Sequence, residues 1–278
     1  MRGRALREAL RSGRRVYGTA MEGLGTPRWP RAFAGLGLDF VFLDSEHNPV
    51  DRAMLAWACQ AYAAYGVAPL LRIPEPSPWH GSMALDLGAH GVIVPYVETV
   101  AQVKAMIGAV KYRPLKGEAL RRALAEGVFP SAETEPYLDN FNAEAVLTIM
   151  IESPAGVAAL PDMLALGGVD AVLMGPHDLS VSHGVPEQYD HPLFLEAMQR
   201  VVRTCRAYDV GVGLHYISGS LERAIEWAEW GCNLICQRAD TLYIARGIQD
   251  EIGALRRALD GEQDAASPDE IGAAGHGT

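Results

Sequence analysis

Eight short apolar runs recur along this chain, at 16–20, 39–43, 68–73, 91–95, 146–151, 169–174, 210–214 and 233–236. Most are followed by a helical pattern, with apolar positions three and four residues apart at 52–65, 79–87, 100–110, 156–165, 192–208 and 220–230. A run that is apolar throughout, rather than alternating, suits a strand covered on both faces, which is the environment of parallel sheets flanked by helices. Eight βα units in succession predict an α/β protein whose strands close into a TIM (β/α)8 barrel. The 278 residues, 49% of them hydrophobic, match one such domain better than two smaller ones.

The ends of several units are legible. Ser220 stands where a cap would start the helix at Leu221, and Gly66, Gly88 and Gly231 fall where helices must stop and turn back. Two stretches break the alternation. Residues 111–142, with Pro114, Gly117, Gly127, Pro130 and Pro136, are too long for an ordinary connection and are expected to form an excursion over the barrel mouth. Residues 260–278, rich in Asp, Ala, Gly and Ser, lack the apolar surface needed to order themselves, so the expected division is a catalytic barrel over 1–259 and a disordered tail over 260–278.

Charge and composition exclude several classes of function. With 24 basic and 34 acidic residues the formal charge is −10, which speaks against a general attraction to nucleic acid or an anionic membrane. No apolar stretch has the length of a membrane span, and the arginine-rich start at 1–15 has no apolar signal core behind it, so a cytoplasmic protein is expected. Cys59, Cys205, Cys232 and Cys236 lie in apolar or helical contexts and read as buried free thiols rather than a zinc clip.

The polar residues at the C-terminal ends of the expected strands carry the chemistry. Asp44-Ser45-Glu46-His47 follows strand two, Arg72 ends strand three, Glu152 follows strand five and Gly175-Pro176-His177-Asp178 follows strand six. His215 ends strand seven, and Gln237-Arg238 ends strand eight. That end of a barrel is where active sites assemble. Glu152 and Asp178 are candidate ligands for one hard divalent cation, Mg²⁺, Mn²⁺ or Co²⁺, with positions left for an α-keto acid and water. Arg72 would stabilise the enolate, His47 would move a proton, and Asp44, three residues earlier, would fix the histidine's tautomer. Structural alternatives stand beside these roles: Glu152 and Asp178 as helix caps, Arg72 as an ion-pair partner of Asp44 or Glu46, His177 as a solvated turn residue. The only lysines, Lys104, Lys111 and Lys116, end no expected strand, which argues against a Schiff-base mechanism.

The motifs Phe42-Leu-Asp-Ser-Glu-His-Asn-Pro49, Leu71-Arg-Ile-Pro74, Ala84-Leu-Asp-Leu-Gly-Ala-His-Gly-Val-Ile-Val-Pro95, Met150-Ile-Glu152 and Gly175-Pro-His-Asp-Leu-Ser180 resemble those of the class II, metal-dependent pyruvate aldolases, which have citrate-lyase-like relatives. The resemblance implies a carbon–carbon lyase that cleaves or forms 4-hydroxy-2-oxo acids through a metal-bound pyruvate enolate. Keto-acid decarboxylation at the same site, and a non-catalytic keto-acid-binding barrel, are the alternatives. It further implies Glu152 and Asp178 as metal ligands, and Arg72, His47 and Asp44 as catalytic. Asp86 would be supplied to a neighbouring subunit's site. Substrate would bind at Gly175, Pro176 and His177, with His215 a further donor for the aldehyde. The partners implied are a keto acid, an aldehyde and further copies of the chain, in a homohexamer whose subunits exchange their last helix. Met150 and His177 depart from the common pattern, where an amide and a small residue are usual.

Overall fold

In a computed structural model of the protein, which describes residues 1–23, 28–217 and 220–261, the eight strands pair in sequence order and β1 closes on β8, all parallel. The strands are β1 (Val16–Met21), β2 (Phe40–Asp44), β3 (Ala68–Arg72), β4 (Gly91–Val94), β5 (Val146–Ile151), β6 (Ala171–Met174), β7 (Gly211–Tyr216) and β8 (Leu234–Ala239). Helices α1 (Gly3–Arg11) and α2 (Arg28–Phe33) flank β1, and α3 (Arg52–Ala64), α4 (Pro78–Asp86) and α5 (Val100–Lys111) follow β2, β3 and β4. Next come α6 (Gly117–Glu126), α7 (Thr134–Phe141), α8 (Pro154–Ala165), α9 (Pro176–Ser182), α10 (Pro192–Ala207), α11 (Leu221–Glu229) and α12 (Asp240–Leu259). The expected barrel is therefore the observed one. No helix among the described residues is long and apolar enough to cross a membrane. The expected tail, from residue 262 onward, lies outside the described residues.

Side chains on a strand point alternately in and out, and here the alternation sorts the core into two bodies. Val41, Leu43, Leu71, Val92, Leu147 and Val172 face outward against the helices. Phe40, Phe42, Leu70, Ile93, Met150 and Leu173 face inward and fill the barrel. Glycines at inward positions make room for them: a Cβ on Gly18 would lie 2.5 Å from the Phe40 ring, and one on Gly211 would lie 2.8 Å from Leu10. Leu6 and Leu10 of α1 close the N-terminal end of the barrel as a plug, an element that the sequence reading did not anticipate.

The segment 111–142 does not cover the mouth. A helix that follows a parallel strand runs back to the N-terminal face, so whatever lies between α5 and the start of β5 must sit at the base. Asn142 bonds the carbonyls of Lys111, Arg113 and Leu138 there, and α6 packs Leu120 and Leu124 over Gly108 of α5. Other expected ends agree with the structure. Ser220 caps α11 by accepting from the Arg223 N–H at 3.2 Å, and Gly66, Gly88 and Gly231 adopt positive φ of 77°, 96° and 119°.

Asp170, fully buried just before β6, ties the base together. It accepts from the Leu147 N–H at 2.9 Å and from Arg11 Nη2 at 3.3 Å, and it pairs with Lys111 Nζ. Lys111 also donates to the Ala145 carbonyl at 2.6 Å, so α1, α5, β5 and β6 meet at one carboxylate. Removing one member of such a pair leaves the other charge buried and uncompensated. Asp170→Ala is expected to lower the unfolding free energy by about 3–5 kcal/mol. The urea midpoint measures this, and a loss below about 1 kcal/mol, the size of a surface pair, would contradict it.

Candidate active site

The inward side chains at the C-terminal ends of the strands form the floor and wall of the mouth. Asp44 ends β2, Arg72 ends β3 and is its register partner, and Glu152 follows β5 by one residue; all three are buried. Arg72 donates from Nε to Asp44 Oδ1 and from Nη2 to Oδ2, each at 2.8 Å. Its Nη1 lies 3.0 Å from Glu46 Oε2, and its guanidinium sits 5.1 Å above the Phe42 ring. Burial would raise the Asp44 pKa, but the hydrogen bonds and charge of Arg72, with the Glu46 N–H, hold it below the usual carboxylate range. Burial would likewise lower the Arg72 pKa, and Asp44, Glu46 and Glu152 together raise it.

This geometry corrects one expectation. Asp44 does not orient the His47 ring. Its oxygens receive Arg72, the backbone N–H groups of Glu46 and His47 at 3.0 and 3.4 Å, and Asn48 Nδ2 at 3.4 Å. The imidazole, 64% exposed, turns its Nε2 toward Glu46 Oε1 at 3.6 Å instead. Arg72, for its part, directs its fork at Asp44, which leaves an N–H of Nη2 and the Nη1 hydrogens for a ligand.

Glu152 is a strongly perturbed carboxylate of the mouth. Its Oε2 accepts the Tyr96 N–H at 3.0 Å, and its Oε1 lies over Gly175, where a Cβ would come within 2.7 Å. A side chain at position 175 would displace the carboxylate from this place. Burial pushes the Glu152 pKa up to about 7; Asp178 and Glu46 add to the rise, against the Tyr96 N–H and Arg72. Asp178 stands exposed in the first turn of α9. Capping explains neither residue, since Ser153 caps α8 through the Gly156 N–H and Gly175 holds the cap position of α9.

The other expected residues are scattered more widely. His215 points inward beneath the mouth, its ring 4.9 Å from that of Phe42 and its Nε2 3.3 Å from the Arg238 carbonyl. His177 is exposed, with Nδ1 3.5 Å from Glu187 Oε1, while the first-turn N–H groups of His177 and Asp178 precede the helical hydrogen-bond ladder. Asp86 ends α4 at the base of its own barrel, exposed and paired with Arg113. Glu46 was expected at the end of strand two only as a partner for Arg72, and the structure shows that pairing at 3.0 Å. Tyr96 was missed and gave no sequence signal because it acts through its backbone N–H, at a φ of 54° just past β4.

Residues 24–236 match the sequence profile of the HpcH/HpaI aldolase/citrate lyase family. The chain belongs to that family. A hydroxypyruvate/pyruvate aldolase of Pseudomonas aeruginosa is 29% identical over 250 residues, 90% of this chain and 92% of that one. A 2-keto-3-deoxy-L-rhamnonate aldolase of Klebsiella pneumoniae is 29% identical, covering 84% of each chain. The crystal structure of an HpcH/HpaI aldolase/citrate lyase family protein from Burkholderia cenocepacia superposes with a TM-score of 0.77 at 28% identity, over 91% of this chain and 99% of that one. Membership makes the chain a carbon–carbon lyase of the aldolase type, in a family that depends on a divalent metal.

In an HpcH/HpaI barrel with this mouth, Glu152 links stability to pH. Its folded pKa, near 7, lies above the unfolded value of 4.5, so between the two the folded state holds more protons. The metal-free protein therefore loses stability as pH rises through that window. Glu152→Gln, which cannot ionise, is expected to flatten the loss, gaining on the order of 3 kcal/mol or less relative to the parent between pH 4 and pH 8. Urea titrations in chelator at the two pH values measure it; a constant difference would show that Glu152 ionises normally.

Proposed function

We propose that the chain is a divalent-metal pyruvate aldolase that cleaves 4-hydroxy-2-oxo acids to pyruvate and an aldehyde and runs the reverse addition. The observation that carries this reading is Glu152, a buried carboxylate over a glycine-cleared space beside Asp178 and Glu46, in a mouth where the Arg72 guanidinium already serves Asp44. Such a surplus of carboxylate oxygen fits a hard cation, Mg²⁺, Mn²⁺ or Co²⁺. Among the described residues no group of three or more His, Cys, Asp and Glu side chains is arranged to hold one, so Glu152 and Asp178 would serve as its two protein ligands, with substrate and water completing the set. When bound, the cation supplies a Lewis acid for the keto oxygen.

The chain's own residues do the rest. The remaining Arg72 hydrogens orient the keto acid and offset negative charge on its C2 oxygen. The N–H groups of His177 and Asp178 receive the substrate carboxylate, at the positively polarised start of α9. His47, exposed at the rim, exchanges a proton at C3. His215 supports the floor beneath the substrate rather than the aldehyde. Four buried free cysteines support a cytoplasmic setting.

Assembly belongs to the same proposal. α12 buries only Asp240, and Ile244, Ile248, Ile252 and Leu255 form an exposed apolar stripe along it, which supports exchange of this helix between subunits of a homo-oligomer, with a hexamer as the expected state. Asp86, exposed at the base of its own barrel, would then serve a neighbour's mouth. Co-assembling inactive Asp86→Ala and Glu152→Ala subunits is expected to restore part of the activity; hybrids without recovery would remove Asp86 from the site.

Glu152→Ala and Asp178→Ala are each expected to abolish metal-stimulated release of pyruvate, with the double change hardly worse, because ligands of one ion act as a unit. Arg72→Lys is expected to lower kcat by about 100-fold or more, since an ammonium cannot grip Asp44 bidentately and still face the substrate. A coupled assay with lactate dehydrogenase reads all four variants. Oxaloacetate decarboxylation without any aldol cleavage would favour the decarboxylase, and metal binding without either reaction would leave a binding barrel.

A further inference from the structure

Glu46 is a buried carboxylate with no role yet in this mouth. Its side chain is 7% exposed on the loop after β2, and its Oε2 has no hydrogen-bond donor among the described residues. Arg72 Nη1 lies 3.0 Å from that oxygen without aiming an N–H at it, and His47 Nε2 stands 3.6 Å from Oε1. The Tyr96 phenol lies beside the same carboxylate, while the Tyr96 N–H holds Glu152, so one residue of left-handed backbone spans Glu46 and the proposed metal ligand. A buried carboxylate oxygen without a donor is costly, and it persists where function requires an acceptor.

Counting acceptors singles this oxygen out. Asp44 already receives five N–H donors, and Glu152 and Asp178 are assigned to the cation. We infer that Glu46 is a further catalytic residue, the base that takes the proton of the substrate's 4-hydroxyl. The inference rests on the aldolase reading above. In cleavage the O–H bond of the C4 hydroxyl breaks and its proton passes to Glu46 Oε2. The freed oxygen pair forms the C4=O of the departing aldehyde, the C3–C4 bond breaks, and its electrons become the C2=C3 bond of the pyruvate enolate. C3 then takes a proton by way of His47, Glu46 returns its proton to solvent, and no oxidant or reductant is needed. The two proton transfers are thus divided between neighbours in sequence.

Three reactions of the Mn²⁺-loaded enzyme separate this from a structural role: cleavage of 4-hydroxy-2-oxopentanoate, deuterium uptake into the methyl group of pyruvate, and decarboxylation of oxaloacetate. Only the first has a hydroxyl proton to remove. Glu46→Gln is expected to lower kcat for cleavage by about 100-fold or more, the scale of a lost general base, while the other two reactions stay within about threefold. Tyr96→Phe, which removes only the phenol oxygen beside Glu46, is expected to give a smaller loss confined to cleavage, and it carries the test should Glu46→Gln fail to fold. If all three reactions fall together, Glu46 merely positions Arg72 and the inference is overturned. Unchanged cleavage overturns it as well. A parent enzyme that shows none of the three reactions overturns the aldolase reading itself.

Discussion

Everything at this mouth depends on the alternation of side chains in a closed parallel barrel. Because successive residues point in and out, β2 delivers Phe40, Phe42 and Asp44 to the interior while Val41 and Leu43 face the helices. The same parity brings Leu70 and Arg72 from β3, and Met150 and Glu152 from β5. The apolar members fill the barrel, and the last inward residue of each strand, beyond the packed layers, is free to be charged. A one-residue slip in any strand would exchange its contribution to the mouth for an outward apolar residue.

Within that frame the Asp44–Arg72 pair does the most. Two parallel hydrogen bonds fix the guanidinium plane over Phe42, which in turn lies against His215. A buried ion pair of this kind contributes little net stability, because desolvation opposes the attraction. Its value is positional: with Asp44 satisfied, Arg72 keeps its remaining hydrogens for the open mouth. The neighbouring carboxylates cannot be satisfied in the same way, and burial pushes the Glu152 pKa up to about 7, with Asp178 and Glu46 adding to the rise.

Much of this was legible in the residues. The lengths and apolar character of the runs fix eight buried strands, and charged residues just past them announce the mouth, because such residues have no place in a core. Glu152, Asp178, Arg72 and Asp44 were found by that logic alone. Pairing partners were not. His47 follows Asp44 by three residues, and sequence distance suggested a dyad, yet the backbone turn brings the His47 N–H, not its ring, to Asp44. Tyr96 was invisible because its contribution is a backbone donor. The segment 111–142 was placed at the wrong end because its length signals an excursion, while only the direction of α5 decides which face it occupies.

The sequence by itself determined the eight strands, their order and the end of the barrel where charge collects. These follow from local rules: hydrophobic period, turn residues, and the cost of burying an unpaired charge. Tertiary structure alone decided which charges face one another: Arg72 on Asp44, Glu46 beside His47 and Tyr96, Glu152 over Gly175. Those contacts join residues from different strands and loops. Their distances are set by barrel closure and by left-handed backbone at a single residue, to within a fraction of an ångström, and no local pattern in the chain encodes that.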